Sequence, residues 1–396
     1  MSIKKIAIIT FGFQGSSSSL VEALLRQGHR VDFYNIVYES QKNYSFESFE
    51  LPISTFVMGM NKIVDFQQNG LRRYMPFSEY LGLFVVKTWG MPDGNGIMDK
   101  IKRGVSSCSL WWFAQSIVRS QYDLVNVIGQ NRYMLSLSVF LHQKNVNVVH
   151  SLHEIYKNHL IEDDLFPHAS TLIQKKVRIT VFSEKSANDL QKLVSMDSNY
   201  LSVIPFGLFT GYREYPQVDV PELRGKVGFV LYYGYILPYK GLDVLYEAEK
   251  LLNGESLHIV IAGRGFDPVL EKMRDNPHFT LINRWLSNIE LVSLIRLCKY
   301  VVCPYLSSSQ SGIPQTVFNF GKPIVATRVA AFNETIYEGK SGLLAETGSC
   351  FSLAEKMKIM NDENAYDKMT EYLTTYAMSE SYKQWMGITD MYLKLI

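Results

Sequence analysis

Short runs of β-branched and other apolar residues recur along this chain, and a helix pattern follows most of them. The series begins with IKKIAIITF, the turn GFQGSSSS and the helix pattern SLVEALLRQGHR. A continuous apolar run is typical of a strand buried on both faces, and strands that alternate with helices form parallel sheets. The pattern therefore restricts the chain to an α/β fold with doubly wound sheets.

The alternation of strands and helices stops once and then begins again. Around Phe209–Pro221 the sequence loses its periodicity and gains Gly, Pro and Tyr, as linkers do. At 396 residues the chain is also too long for one ordinary core. We therefore expect two Rossmann-like domains, over 1–208 and from 209 onward, facing a central cleft between the carboxyl ends of their sheets.

The composition describes a globular protein without a polyanion partner. The chain is 47% hydrophobic and 20% charged, with a formal net charge of +2, so no nucleic-acid partner is expected. Its four cysteines have no metal-like or paired spacing and indicate buried thiols in a reducing compartment. The apolar run at the N-terminus is followed by Gly and polar residues instead of a cleavage site, so it does not resemble a signal peptide. No run reaches the roughly 18 apolar residues that a membrane-spanning helix needs. We expect a cytoplasmic protein.

Four loops of the second half follow predicted strands, and their residues suit a phosphate-bearing ligand. In YGYILPYKGLD, Lys240 comes just before a helix, where a lysine can reach a diphosphate as a point charge. The next loops are AGRGFD and NRWLS. The fourth loop places Gln310–Gly312 at the start of a predicted helix over Pro314–Phe320, where unpaired N–H groups and the helix dipole favour an anion. Because all four follow parallel strands, we expect them to converge on one site.

This set of loops resembles the donor domain of the retaining glycosyltransferases of family 4, which have the GT-B fold. The resemblance is carried by YGYILPYKGLDVLYEA, IVIAGRG, INRWLSNIEL, VVCPYLSSSQSGIPQTVFNFGKPIVATRVAAFNETI and EGKSGLL. In the first half KIAIITFGFQGSSSSLVEALLRQGHRV, HSLHEIY and VFSEKSANDLQ also match. It covers most of the chain and is strongest from Ser183 to Leu344. It implies transfer of a sugar, with an α-linkage, from a nucleotide-diphosphate sugar (UDP-linked by preference) to a glycan or polyprenyl-linked acceptor, as in bacterial polysaccharide or glycoconjugate synthesis.

The resemblance also implies a division of labour. Residues 1–208 would bind the acceptor, 209–378 would bind the donor, and 379–396 would form a helix that returns to the first domain. The apolar side of that helix would be formed by Trp385, Met391, Tyr392 and Leu395. Lys240 would act on the departing diphosphate, and no metal ion would be required.

The residues expected to bind the donor follow from the same resemblance. Arg264 would lie near the phosphates, and Asn283, Arg284 and Trp285 would lie along the base. The expected donor contacts are Gly15, Ser16, Tyr235, Lys240, Arg264, Asn283, Arg284, Trp285, Gln310, Ser311, Gly312, Ile313, Gln315 and Thr316. Gly312 lacks a Cβ, so the sequence suggests that the sugar approaches the backbone closely there.

His153 is the predicted catalytic residue of the first half. It follows the buried strand VNVVHSL, where a side chain would emerge at the ligand-binding edge of the sheet. By resemblance it would contact the donor sugar and stabilise developing positive charge, whereas the alternative is a structural histidine. Glu154 would orient it or cap a loop, and His150, inside the strand, is expected to be structural.

Three positions depart from the family pattern and leave other functions open. Two glutamates that many members carry fall near Ser308 and Thr316, and an arginine common in the first loop is Leu237. The chain looks like a Gln-Ser-Gly variant of the family. A non-catalytic nucleotide-sugar-binding scaffold partner and a GT-B nucleotide-sugar epimerase are the alternatives, although no acid–base carboxylates for epimerisation are evident. The turn GFQG lacks the Gly-x-Gly-x-x-Gly spacing of a nicotinamide site.

The stretch 56–119 looks irregular and is rich in aromatic and basic residues. Such residues side by side can hold a helix in a membrane interface, which would give peripheral contact with the inner face of the membrane. The alternative is a helix packed on the first domain whose Lys and Arg side chains are solvated. The sequence leaves both open.

Overall fold

The computed structural model describes residues 2–38, 59–67, 71–89, 94–153, 155, 169–194, 198–252 and 257–396. They divide into two compact units. The first takes the described residues up to Gly207 together with Tyr382–Ile396, and the second takes Leu208–Ser381. Each unit is built on its own sheet, and each sheet is parallel apart from one edge strand of the first. The predicted α/β fold class is confirmed.

The sheet of the first unit has eight strands among the described residues. They are β1 (Lys5–Thr10), β2 (Arg30–Tyr38), β3 (Gly59–Ile63), β4 (Leu81–Thr88), β5 (Leu124–Ile128), β6 (Val148–Leu152), β7 (Arg178–Val181) and β8 (Leu201–Val203). Their order is β3-β4-β2-β1-β5-β6-β7-β8, with β3 antiparallel to β4. Later strands are added outward on both sides, so the topological switch point lies between β1 and β5.

The helices of the first unit include one that begins earlier than predicted. They are α1 (Gln14–Arg26), α2 (Ile97–Ser120), α3 (Arg132–Gln143), α4 (Ala169–Gln174) and α5 (Glu184–Leu193). Gly12 and Phe13, both with left-handed backbones (φ 72° and 52°), complete the turn after β1 by themselves. Gly15 and Ser16 therefore lie in the first turn of α1, and the prediction that GFQGSSSS is a turn is wrong from Gln14 onward.

The stretch 56–119 is more regular than predicted. Among its described residues it contains β3, β4 and the long helix α2. The sequence of β4, LGLFVVKT, pairs with β2 along eight residues, and all of its side chains except Phe84 are buried. This is an ordinary buried-strand signal that the surrounding aromatic and basic residues obscured. Part of the stretch lies outside the described residues.

The second unit has a six-stranded parallel sheet. Its strands are β9 (Val230–Tyr233), β10 (Ile259–Ala262), β11 (Phe279–Ile282), β12 (Tyr300–Cys303), β13 (Ile324–Thr327) and β14 (Gly342–Ala345). Its helices are α6 (Leu242–Lys250), α7 (Val269–Arg274), α8 (Asn288–Leu297), α9 (Ile313–Val317), α10 (Ala330–Asn333), α11 (Cys350–Asn361) and the first part of α12 (Glu363–Leu393). The strand order β11-β10-β9-β12-β13-β14 puts the switch point between β9 and β12.

The end of α12 packs into the first unit, with one change from the predicted face. Trp385, Ile388 and Tyr392 are buried there in the core formed by α1 and the sheet. They are spaced three and four residues apart, so they form one stripe of the helix. Gly207 makes room for this stripe, because a Cβ at that position would collide with the indole of Trp385. Met391 lies off the stripe and is 41% exposed, so its prediction as a core residue is wrong.

Two further expectations concern thiols and membranes. Cys298 and Cys303 are buried, and burial raises the pKa of each to about 12. Cys108, in contrast, is exposed on α2, so the expectation of buried thiols is wrong for it.

In the part of the chain that the structure describes, no helix has the length and apolar character needed to cross a bilayer.

Candidate nucleotide-sugar site

The loops that follow β9, β10 and β12 in the second unit are in direct contact. Ile236 N–H donates to the Arg264 carbonyl (3.0 Å), and Leu306 N–H donates to the Tyr239 carbonyl (2.8 Å). Gly241 has φ 67°, and a Cβ there would collide with the Pro304 carbonyl oxygen, so only glycine suits this position. The structure therefore brings these three predicted loops together at the switch point between β9 and β12.

Lys240 is held over an aromatic ring at this switch point. Its Nζ lies 3.6 Å from the ring centroid of Tyr305 and 4.8 Å from that of Tyr239. Tyr305 is buried, and its ring contacts Phe332 in the core. A cation over a buried ring face is attracted by the ring quadrupole, which restricts the long lysine side chain. The ammonium group is thus positioned where open parallel sheets bind their ligands.

Two exposed aromatic side chains lie at the same edge of the sheet, after β9 and β11. The rings of Tyr235 and Trp285 are 6.1 Å apart in an edge-on arrangement, and the two side chains are 58% and 47% exposed. Asn283 is engaged nearby: its amide both accepts from Gly265 N–H and donates to the Gly265 carbonyl, each at 3.2 Å. Arg264, between these loops, is exposed. A flat ligand such as a base can stack on the aromatic pair.

Arg284 was expected along the base, but its guanidinium is already bound by two carboxylates. Its Nε lies 2.7 Å from Glu222, and its Nη2 lies 2.7 Å from Glu290. Hydrogen bonds to Glu222 and Glu290 raise the pKa of Arg284, and the bond from Arg284 lowers the pKa of Glu222. Glu290 also forms the capping box of α8 with Ser287. The side chain therefore braces the start of α8.

The helix after the Gln-Ser-Gly loop is shorter than predicted. The α-helix α9 ends at Val317, and a 3₁₀ turn over Phe318–Phe320 follows it. Ile313 N–H donates to Ser311 Oγ (3.3 Å), and Pro314 has no N–H at all. A helix of five residues also has a small dipole, because the dipole grows with aligned peptide units. The anion site expected from a full helix is thus reduced, and polar side chains become more important.

Buried polar atoms of this loop remain available for a ligand. Within the described residues, Ser309 Oγ and Gln315 Oε1 are buried and have no hydrogen-bond partner. An unsatisfied buried polar atom is costly, and a hydroxyl group of a bound sugar would satisfy it. The backbone of Gln315 is held in place, because its main-chain carbonyl accepts a hydrogen bond from Phe209 N–H (3.0 Å).

Hydroxyl groups occupy the two places where many of the glycosyltransferases that the sequence resembles carry glutamates. Ser308 Oγ donates to the Gln310 carbonyl and Thr316 Oγ1 to the Gly312 carbonyl, both at 2.9 Å. These bonds fix the backbone of the loop. The sequence departs from the resembled pattern at these two positions, and in the structure both hydroxyls bond to the backbone of the protein itself.

The structure explains the glycine at position 312 by packing against the protein rather than by the approach of a sugar. Its backbone is ordinary, with φ −86°. A Cβ there would come within 3.0 Å of the ring of Phe209, which is itself buried. The space beside Gly312 is occupied by Phe209, so the suggestion that it is kept open for a sugar is not supported. A larger residue would disturb the core as well as any ligand.

In the first unit, His153 lies in a cage of three phenylalanine rings. Its ring stacks on Phe13 (centroids 3.6 Å apart) and lies 4.4 Å from Phe182 and 5.3 Å from Phe206. The histidine is only 4% exposed, and its Nε2 has no hydrogen-bond partner among the described residues. Burial, with a smaller contribution from His150, lowers the pKa of His153 to about 3. The imidazole is therefore neutral near pH 7.

The sequence identified His153 but not the rings around it. In the structure Phe13, Phe182 and Phe206 come one to three residues after the ends of β1, β7 and β8, a common placement that a sharper prediction of the strand ends would have revealed. Phe13 also has a left-handed backbone, which is rare for a bulky residue and is supported here by the stacking on His153. Glu154, the expected partner of His153, lies outside the described residues.

The predicted site residues are thus distributed over two units. Gly15, Ser16 and His153 belong to the first unit, and the remaining predicted donor contacts belong to the second. Ser16 Oγ donates to the Phe13 carbonyl (3.0 Å), so its hydroxyl stabilises the start of α1.

The sequence of the second unit matches a known family. Residues 227–362 match the family described as "Glycosyl transferases group 1", a range that holds Tyr235, Lys240, Trp285 and the Gln310–Thr316 loop. This part of the chain is similar to the glycosyltransferases of that family. It contains the contact of Lys240 with Tyr305 and that of Tyr235 with Trp285.

Relatives and solved structures agree with this domain. An uncharacterized glycosyltransferase of Methanocaldococcus jannaschii is 27% identical over 176 residues, which cover 43% of this chain and 50% of that protein. D-inositol 3-phosphate glycosyltransferase of an Arthrobacter species is 25% identical over 254 residues (56% of this chain, 58% of that protein). The matches thus span little more than half the length of these relatives. The solved structure of Anabaena HepE with UDP and glucose has a TM-score of 0.63 at 12% identity and covers 99% of this chain and all of HepE. The matched segment therefore belongs to a chain with the GT-B fold.

Proposed function

We propose that this protein is a retaining glycosyltransferase that transfers a sugar from a nucleotide-diphosphate sugar, UDP-linked by preference, to form an α-glycosidic bond. The observation that carries the proposal is the position of Lys240, fixed over Tyr305 at the switch point between β9 and β12. The matched glycosyltransferase domain supports it, and so does the UDP-glucose complex of the similarly folded Anabaena HepE.

In this proposal the donor binds to groups of the second unit. The ammonium of Lys240 binds the diphosphate, and the rings of Tyr235 and Trp285 stack against the base. The sugar hydroxyls bind the buried polar atoms of Ser309 and Gln315. These pairings are chemically reasonable, because an ammonium group binds phosphate and aromatic rings stack with bases.

The chemistry follows from this arrangement. The bond between the anomeric carbon and the diphosphate oxygen breaks, and its electron pair goes to the diphosphate. The acceptor oxygen bonds to the anomeric carbon on the same face, and its proton passes to the departing diphosphate oxygen. The protein therefore supplies positioning and charge stabilisation rather than a base. Neutral His153 would contact the sugar without repelling the developing positive charge.

The acceptor we propose is a glycan or polyprenyl-linked sugar, in bacterial polysaccharide or glycoconjugate synthesis at the cytoplasmic side of the membrane. A scaffold partner that binds a nucleotide sugar without turnover is the second candidate. It is favoured by one observation, that Ser308 and Thr316 bond the backbone where many family members carry carboxylates.

A panel of nucleotide sugars distinguishes these functions. The purified protein is incubated with UDP-, GDP- and ADP-sugars, with and without polyprenyl-linked acceptors, and products are followed by mass spectrometry. Transfer or slow hydrolysis supports the transferase, binding without turnover supports the scaffold, and an isomeric nucleotide sugar indicates an epimerase. The transferase proposal is abandoned if a donor binds tightly and no acceptor or water attacks it.

Turnover is expected to persist in EDTA. Lys240 supplies positive charge at the diphosphate, so a bridging divalent ion is not required for leaving-group departure. Initial rates are measured in an excess of EDTA and again after Mg²⁺ or Mn²⁺ is added. A loss of activity that either ion restores would show that the reaction depends on a metal.

A further inference from the structure

The helix α2 carries an unusual number of large apolar side chains on its solvent-facing side. The inward side is ordinary, since Leu110, Phe113, Ala114 and Ile117 are buried against the sheet of the first unit. Five large apolar residues are exposed on the same helix. They are Ile97 (79%), Met98 (59%), Ile101 (46%), Trp111 (57%) and Trp112 (48%). Exposed Cys108 lies between them.

These side chains form a continuous stripe along the helix. At 100° per residue, Ile97, Ile101, Cys108 and Trp112 fall within about 60° of one another, and Trp111 lies beside them. The buried residues point in the opposite direction, so α2 is apolar on both sides. A soluble surface helix is normally polar on its outer side, and a contiguous exposed apolar stripe marks an interaction surface.

The charges around this stripe are strongly one-sided. The helices α2 and α3, which pack against each other, have six basic residues in or directly after them and one acidic residue, although the whole chain has 40 basic and 38 acidic. The basic residues are Lys100, Lys102, Arg103, Arg119, Arg132 and Lys144, and the acidic one is Asp99. On the helical wheel Lys100 and Arg119 are exposed beside the stripe, and these flanking charges are complementary to an anionic partner.

We infer that the outer face of α2 binds the surface of an anionic lipid bilayer. Trp111 and Trp112 would enter the interface between headgroups and acyl chains, where amphipathic aromatic rings are favoured, and Lys100 and Arg119 would contact lipid phosphates. A second copy of this chain fits the surface less well, because a symmetric contact would bring two basic faces together.

This inference is tested without any substrate, so its failure would leave the proposed transferase untouched. The full-length protein is mixed with vesicles of phosphatidylcholine alone or with about 30% phosphatidylglycerol, and bound protein is measured by co-sedimentation. We expect binding to the anionic vesicles to be at least about tenfold tighter than to the zwitterionic ones, and to weaken with salt.

Variants of α2 locate the contact. The double variant Trp111→Gln/Trp112→Gln is expected to lose at least about tenfold in vesicle affinity, and Lys100→Glu/Arg119→Glu to lose the preference for anionic lipid. The matched control is Tyr337→Gln/Phe351→Gln, which removes two exposed aromatics (60% and 72%) from the second unit and should bind as the wild type does. Melting temperatures verify that each variant is folded.

Three results would overturn the inference. The first is a wild-type protein that does not bind anionic vesicles. The second is a folded Trp111→Gln/Trp112→Gln variant that binds them unchanged. The third is a dimer in solution that this same double variant dissociates, since the stripe would then be covered by a second copy.

Discussion

Replacing Lys240 with alanine is expected to lower kcat/KM at least about a hundredfold, while the melting temperature changes little. The substitution removes the cation at the diphosphate, and loss of one charge-assisted contact to a leaving group costs roughly 3 kcal/mol of transition-state stabilisation. The side chain is only half-buried and lies on Tyr305 rather than inside the core, so the fold should tolerate its loss. Steady-state kinetics with the donor found in the nucleotide-sugar panel provides the measurement.

Two comparisons make the Lys240 result specific. Lys250→Ala, on the exposed end of α6 in the same unit, removes a lysine paired with Glu247 and should leave kcat/KM within about twofold. Tyr305→Phe keeps the ring face under Lys240, whereas Tyr305→Leu removes it and should lower kcat/KM by about tenfold. Near-normal kcat/KM in Lys240→Ala would mean that the diphosphate binds elsewhere.

The second large effect is expected from His153→Phe. A phenyl ring fills the cage of Phe13, Phe182 and Phe206 but has no nitrogen, so turnover should fall at least about tenfold if Nε2 contacts the sugar. Stability should respond differently. The phenyl ring preserves the aromatic packing. It also cannot be protonated, so the variant should lose less stability than the wild type when the pH is lowered.

The sign of the pH effect follows from burial. Burial lowers the pKa of His153 to about 3 and that of His150 to about 4, whereas both titrate near 6.5 in an unfolded chain. Below pH 6.5 the unfolded state binds protons that the folded state does not, so the stability of the fold decreases as the pH is lowered, down to about pH 4 for His150 and about pH 3 for His153. At pH 5 the wild type should lose about 2 kcal/mol through His153 alone, and His153→Phe should not.

Melting temperatures at pH 7 and pH 5, together with kcat at pH 7, separate the two roles of His153. Reduced turnover with improved acid stability is the expected result. Full turnover with improved acid stability would make His153 a purely structural residue. If the wild type and the variant lose equal stability at pH 5, the account of a buried neutral imidazole is wrong.

The sequence predicts the sheets well because their signals are local. Strands such as β1 and β12 read as unbroken apolar runs, and the loops after them could be placed at one edge without coordinates. The early start of α1 was missed, because the turn before it needed only Gly12 and a left-handed Phe13. The strand β4 is not predicted, because its apolar run lies among aromatic and basic residues and does not stand out from them.

Site details were less predictable because they depend on distant partners. Arg284 is bound by Glu222, 62 positions away, and no local pattern indicates this pair. The cage of His153 unites residues that follow three different strands. The sequence singles out Lys240 as a candidate, since it precedes a helix after β9, but its position over Tyr305 depends on the packing of β12.

The central claim is that the edge of the second unit at the β9–β12 switch point binds a nucleotide diphosphate. The most direct measurement is a calorimetric titration of UDP into the wild type, Lys240→Ala and Trp285→Ala, with Lys250→Ala as control. We predict that the wild type and Lys250→Ala bind UDP alike, that Lys240→Ala binds at least about tenfold more weakly, and that Trp285→Ala loses about 1–3 kcal/mol of stacking. Undiminished UDP binding in a folded Lys240→Ala protein, or no UDP binding by the wild type, would contradict the account.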